Sequence, residues 1–249
     1  MNSSLDPLQN PNANENGDAW YEVEPPNLPL LKCELGEDAI EYVWQLIDEA
    51  KAKEVEPTAN QNLAGNIEKS LYLDDKDNYF FNTHLKTQVE AYVMRYSPYI
   101  HTSRNPFSTW KFYSLTLREF WVNFQNQIEF NPLHSHAGVL SFVIWLNIPT
   151  EYEDQEKIPF CASANNAAAS DFNFVYTDIM GGVKPYTIKM GSDAENTMFV
   201  FPSLLNHQVY PFYQNDGKRI SVSGNIYYDL NFDDENQFKK HLEHLGSKM

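Results

Sequence analysis

The sequence predicts a mostly β protein, an antiparallel barrel or jelly roll with helices laid over one side, and three observations predict it. Two amphipathic stripes with helical spacing stand in the first hundred residues. Beyond Pro98 the texture changes to short runs that alternate polar with aromatic or branched residues, as half-buried strands do. Turn signals separate those runs, and no linker divides the middle of the chain. A helix needs an apolar face to dock on a sheet, so helices first and strands after suggest a covered β core. With 249 residues, 14% of them aromatic, there is material for one large core and a lined pocket. The chain therefore reads as a single domain over residues 19–249.

Taken in order, residues 1–18 are rich in Asn, Ser, Asp and Pro and carry neither a basic leader nor an apolar run. They read as a disordered tail and not as a secretory signal. From Gly36 to Lys53, Ile40, Val43, Trp44 and Ile47 fall at i, i+3, i+4 and i+7, with Glu41, Asp48, Glu49 and Lys51 on the other faces, so a helix is expected. Pro57 and the Asn60-Gln61-Asn62 run stop it, and residues 63–70 form a connector able to turn at Gly65-Asn66. A second helix is expected from about Asn78 to Tyr96, with Phe81, Leu85, Val89, Tyr92, Val93 and Tyr96 on one stripe. Both stripes, in a helical layer over residues 36–97, are packing faces.

The β core is expected over about residues 110–228. Trp110 to Leu117 and Phe120 to Ile128 read as two strands. Further strands are expected over Val139–Ile148, Phe172–Tyr176, Pro185–Met190, Thr197–Phe201 and Arg219–Tyr228. Between Pro149 and Gly191 lies a polar insertion, with an acidic run from Glu151 to Lys157 and small residues from Cys161 to Ser170. It reads either as a lid at the mouth of a barrel or as a solvated excursion. Residues from about 235 to 247 read as a short C-terminal helix, on which His241 and His244 belong to a solvated face. No internal repeat, Gly-rich phosphate loop or apolar run of about 18 residues is present, so no membrane span is expected.

The formal charge is −16, from 34 acidic against 18 basic residues. Such a balance repels phosphate backbones and anionic membrane surfaces, and it argues against a nucleic-acid partner. Cys33 and Cys161 match no metal or redox spacing and read as reduced thiols, which fits a cytoplasmic setting.

The run from Asn131 to Asn147 reads as a strand, a turn and a second strand, which sends His134 and His136 to one face and Ser135 to the other. Neutral imidazole is the commonest protein metal ligand, so two converging on one point suggest a metal. A third imidazole, His207, arrives after an apolar strand and the Pro202-Ser203 turn. Iron(II) sites in oxygenases use three protein ligands on one face and leave three positions open, and the chain offers that count. In the last strand Arg219, Ser221 and Ser223 share a face. A guanidinium inside a barrel must be paired, and a dicarboxylate would pair it with a hydroxyl from Ser221, whereas an outward Arg219 would meet surface acids. Tyr113, Asn123 and Trp145 are candidates for lining the pocket, with Asn123 a donor to a cosubstrate.

His134-x-His136, some seventy residues, Phe201-Pro202-Ser203 with His207, then Arg219-x-Ser221 resembles the 2-oxoglutarate and iron(II)-dependent oxygenases over roughly Trp110 to Tyr228. The segments flanking His207 are similar to prolyl-hydroxylase-like members, including those of phage and marine bacterial genomes; for a phage-encoded member the setting is the host cytoplasm. The resemblance implies a double-stranded β-helix with Fe(II) at its mouth, dioxygen as oxidant and 2-oxoglutarate as cosubstrate. It places metal ligands at His134 and His207 and the cosubstrate grip at Arg219 and Ser221. Oxidation of a peptide, prolyl ones among them, or of a small molecule follows. One departure stands out: the usual second ligand is Asp or Glu, and here it is His136. Three neutral imidazoles leave Fe(II) with two net positive charges, not one. An acid from elsewhere, such as Asp178, or a different divalent metal would be the alternative. A non-enzymatic jelly-roll binding module and a cupin-like three-His dioxygenase without 2-oxoglutarate are the competing readings.

Overall fold

A computed structural model describes residues 28–53, 58–100, 113–165 and 167–230, and its strands form two antiparallel sheets face to face. In the larger sheet β1 (Leu31–Glu34) pairs with β8 (Thr197–Pro202), followed by β5 (Leu140–Asn147), β10 (Arg219–Leu230), β3 (Tyr113–Gln125) and β2 (Ser70–Tyr72). The smaller sheet runs β4 (Asn131–His134), β9 (Asn206–Val209), β6 (Phe172–Thr177) and β7 (Val183–Ile188). From β3 onward the chain passes back and forth between the sheets, which is the jelly roll, or double-stranded β-helix, that the resemblance implied. The tail over residues 1–18, Trp110, and the C-terminal helix with His241 and His244 lie outside the described residues.

Side-chain parity decides what each face of the larger sheet does. Even-numbered residues Val122, Phe124, Phe142, Ile144, Val200 and Val222 pack against α1 (Glu37–Lys51) and α2 (Lys86–Ile100). Odd-numbered Val143, Trp145, Phe199 and Phe201 turn inward, where they meet Phe172 and Phe174 of β6. Each such fully buried side chain contributes roughly 1.5–3 kcal/mol. A slip of one residue would exchange the two faces, so the register is strongly specified. Central β5 is buried on both sides, which is why its sequence is an almost unbroken apolar run.

The first helix forms as expected, its buried stripe being Ala39, Val43, Leu46, Ile47 and Ala50, with Ile40 and Trp44 half-buried at its margin. The second enters through a 3₁₀ turn at Lys76–Asn78 and a π segment at Phe81–Leu85 before α2, and buries the expected stripe with Tyr96 at its edge. Phe80, outside that stripe, is also buried, with its ring 5.3 Å from that of Phe120.

The two strands expected over 110–117 and 120–128 are one strand, β3, ending at Gln125. Glu119 faces Asn225 and Leu117 faces Ile226, so Arg118 is an extra residue absorbed in a β-bulge and the strand continues through it. The edge strands β1 and β2, four and three residues long, are too short to show an alternation. In the insertion, α3 (Tyr152–Glu156) and α4 (Pro159–Ala162) lead into β6 and β7, so its second half is sheet. No helix among the described residues is long and apolar enough to cross a membrane.

Candidate metal centre

Strand alternation and one cross-strand pair assemble the site. β4 pairs with β9 so that His134 faces His207, and β6 on the other side of β9 sets Phe174 opposite His207. His136 lies two residues beyond His134, on the same side, in the turn leading to β5. Its backbone N–H donates to the Ser203 carbonyl at 2.8 Å, and Ser203 N–H donates to the Val139 carbonyl at 3.2 Å. These bonds tie the turn to the end of β8. Within it Gly138 has φ +101°, and a Cβ there would stand 2.8 Å from the Ile226 carbonyl oxygen. Glycine meets both demands.

The three rings converge. Their centroids lie 5.0 Å apart for His134 and His136, 4.2 Å for His134 and His207, and 4.9 Å for His136 and His207. One ring nitrogen from each lies within 4.8 Å of the others, and Nε2 of His136 is 3.1 Å from Nε2 of His207. Two nitrogens bound at right angles to one cation, each at about 2.1 Å, stand about 3 Å apart. His134 Nδ1 lies 2.7 Å from the Pro132 carbonyl and His207 Nδ1 lies 3.0 Å from that of Leu205. A proton on each Nδ1 makes those bonds and leaves Nε2 as a lone pair, the second-sphere arrangement that orients metal-binding histidines. Burial holds all three imidazoles neutral: it lowers His134, brings His136 to about 4 with help from the His134 charge, and brings His207 to about 3 with help from both partners. An N–H···N bond accounts for the 3.1 Å contact alone; a cation accounts for all three lone pairs. The donor set fits Fe(II), for which imidazole is a suitable ligand.

Aromatic groups dry the centre. His207 has rings of Phe201 at 5.0 Å and Phe172 at 5.7 Å, and the Trp121 ring lies 5.7 Å from His136. All three histidines open on a cavity of about 150 Å³ that is also lined by Asn123, Trp145, Arg219, Ser221 and Ser223.

Arg219 is 1% exposed, so the reading of an outward arginine paired with surface acids is overturned. No carboxylate of the described residues lies within ion-pairing distance of it. Its partners are neutral: Nη2 donates to the carbonyl and to Oγ of Ser170, Nη1 makes 3.4 Å contacts with Gln125 Oε1 and the Tyr210 carbonyl, and Nε has no partner. The Phe212 ring lies 5.3 Å away. Burial pulls the guanidinium down to about 9, with Asp171 pulling the other way, so it is charged at neutral pH. A buried charge without a counter-charge is costly, and an anion entering the cavity would repay that cost.

The remaining candidates divide. Ser221 and Asn123 face each other across β10 and β3, both lining the cavity, and Ser70 Oγ donates to Asn123 Oδ1 at 2.7 Å. Trp145 lines it too, with Phe172 at 5.3 Å. Register pairs Tyr113 with Leu230, ten residues along β3 from Asn123, and its side chain lies outside the described residues. Asp178 is a correction, since its Oδ1 accepts from the N–H groups of Met180 and Gly182 in the β6–β7 turn and is not in the cavity wall. Sequence reading missed Gln125, Ser170 and the cavity wall formed by Asn60, Asn62 and Leu63 to Gly65. Gln125 shares the parity of Asn123 and could have been found by carrying β3 through; Ser170 has no local signal.

A family model described as "Putative 2OG-Fe(II) oxygenase" matches residues 119–225, the span that holds the three histidines and Arg219. Among solved structures, the chain is similar to a Pseudomonas putida prolyl-4-hydroxylase, with 12% identity over 82% of this chain and 93% of that one and a TM-score of 0.46. It is similar to an oxidoreductase of the 2OG-Fe(II) oxygenase family from Burkholderia pseudomallei, with 14% identity over 80% and 84% and a TM-score of 0.44. It is also similar to AviO1 from Streptomyces viridochromogenes Tue57, with 12% identity over 79% and 86% and a TM-score of 0.42. No curated protein matches the sequence.

Proposed function

We propose, from the match of residues 119–225 to the family model described as "Putative 2OG-Fe(II) oxygenase", that this chain oxidises a C–H bond with Fe(II), dioxygen and 2-oxoglutarate. The observation that carries the proposal is that a buried guanidinium with no carboxylate of the described residues within ion-pairing distance shares one small cavity with three converging imidazoles. His134, His136 and His207 would hold the iron, and Arg219 with Ser221 would hold the far carboxylate of the cosubstrate.

When bound, Fe(II) supplies oxidative decarboxylation of 2-oxoglutarate to succinate and carbon dioxide, coupled to hydroxylation of the substrate. The chain supplies position and exclusion. The Pro132 and Leu205 carbonyls fix two imidazoles by their Nδ1 protons. Arg219 would orient an anion through its planar donor set, in which Nε has no partner among the described residues. Asn123, whose Oδ1 is taken by Ser70, keeps its amide hydrogens for the cavity. Phe172, Phe201 and Trp121 keep water from the inner side of the imidazoles. No side chain is needed as a general base. The substrate we propose is a peptide, prolyl ones among them, or a small molecule, on the resemblance of the segments flanking His207. Two unpaired thiols, Cys33 and Cys161, support a cytoplasmic setting.

The test is turnover of purified protein with Fe(II), 2-oxoglutarate and oxygen. Fe(II)-dependent succinate formation that His207→Ala abolishes is expected. The imidazole at position 136 favours one second reading, a three-His dioxygenase without 2-oxoglutarate, which would consume oxygen and form no succinate. Failure to take up Fe(II) or Mn(II), with no stabilisation by 2-oxoglutarate, would leave a jelly-roll binding module.

A further inference from the structure

Arg219 is held from behind by a residue on the insertion. Ser170 stands just before β6, fully buried, with φ +68°. A non-glycine residue in that region costs roughly 1 kcal/mol or more, so its surroundings impose the conformation. They do so through backbone bonds: Ser170 N–H donates to the Pro211 carbonyl at 2.8 Å, and Tyr210 N–H donates to the Asp171 carbonyl at 2.8 Å. This splice joins the end of the insertion to the segment after β9, which also carries Phe212. From it Ser170 offers two acceptors to a single nitrogen of Arg219, its carbonyl at 2.9 Å from Nη2 and its hydroxyl oxygen against the same atom. Nη1 has only its two 3.4 Å contacts, and Nε has none.

We propose that Ser170 is a positioning residue for the cosubstrate anchor: by claiming Nη2 it fixes the plane of the Arg219 guanidinium and leaves Nε to bind the distal carboxylate. The inference rests on reading Arg219 as that anchor. It makes the last residues of the insertion part of the anion site and not of a lid. A guanidinium that is already fixed in its plane loses less freedom when the anion arrives, so the gain falls on cosubstrate affinity.

The test is Ser170→Gly in the full chain. Glycine accepts the positive φ and keeps the carbonyl acceptor, so only the hydroxyl is removed. The readouts are the 2-oxoglutarate concentration giving half of the maximal rise in melting temperature of the Mn(II)-loaded protein, and the KM and kcat of the Fe(II)-loaded protein. Loss of one hydrogen bond to a charged group predicts a rise of about 10-fold in both the half-maximal concentration and KM, with kcat falling far less. An unchanged half-maximal concentration overturns the proposal. So does a fall in kcat and Mn(II) uptake that tracks a lowered melting temperature of the metal-free protein, since that is a structural role only. Arg219→Met is measured beside it. If Arg219→Met still binds 2-oxoglutarate as the parent does, the anchor reading itself fails; if Arg219→Met loses binding and Ser170→Gly does not, only the role of Ser170 fails.

Discussion

Nε2 of His136 lies 3.1 Å from Nε2 of His207, although 71 residues of chain separate them. The Leu205 carbonyl accepts a hydrogen bond from Nδ1–H of His207, so the Nε2 lone pair of His207 must meet an N–H or a cation. His207 is the buried member of the set, walled by phenylalanines. His207→Ala should therefore weaken Mn(II) or Fe(II) binding by more than about 100-fold. Titration of the metal-free variant checks this, and retained affinity would remove His207 from the ligand set.

Arg219→Met exchanges a buried charge for an apolar side chain of similar length. Such exchanges are often neutral or stabilising, by about 1–4 kcal/mol in favourable cases. The melting temperature of the metal-free protein should hold or rise, while the stabilisation by 2-oxoglutarate expected of the Mn(II)-loaded parent should be absent from the variant. A large fall in the first melting temperature would show that Arg219 is structural.

His136→Asp introduces the carboxylate usual at this position in the oxygenases that the sequence resembles. The present ligand atoms of all three histidines lie within 4.8 Å of one another, and an aspartate side chain is shorter than that of histidine, so a carboxylate at this position would reach less far toward the other two rings. Fe(II) affinity should drop by about 10-fold. A gain in turnover instead would mark the natural site as an altered form of the carboxylate-bearing one.

Asp171 is buried, and its Oδ1 has no hydrogen-bond partner among the described residues. Burial raises its carboxyl to about 6, against opposing pulls from Lys189 and Arg219 and with support from Glu156. Its folded value thus lies above the unfolded one of about 3.9. The stability this group contributes is complete below the unfolded value and is lost as pH rises through about 6. Asp171→Asn should raise the melting temperature at pH 7 by a few degrees, with the difference vanishing toward pH 4. Melts of both proteins across that range decide it, and a constant difference would refute the assignment.

Much of the centre was legible because a strand repeats every two residues. Extended backbone sets His134 at the end of β4 and His136 two residues on, and Arg219 and Ser221 on β10, so each pair shares a face, and only the inner face can hold imidazoles and a guanidinium together. What escaped depended on pairings between distant segments. The bulge at Arg118 became visible only when β10 was laid beside β3. Asp178 looked available as a ligand because a sequence does not show that a hairpin turn already uses its oxygen. Ser170 reaches Arg219 through a backbone conformation that no local pattern announces.

Over most of its length β10 lies between β3 and β5, and Arg219 is its first residue. Loosening that strand would break two ladders at once, whereas the wall opposite is a short connector pinned mainly by the Asn60 amide and by a bridge from Asn66 to Phe130. Local opening draws on segments with the fewest such ties. On the reading of Arg219 as the anchor, one side of the chamber would act as an anvil and the other as a hinge-plate: residues 60–67 would yield first to a bulkier molecule, while the strand that carries the guanidinium would hold its place.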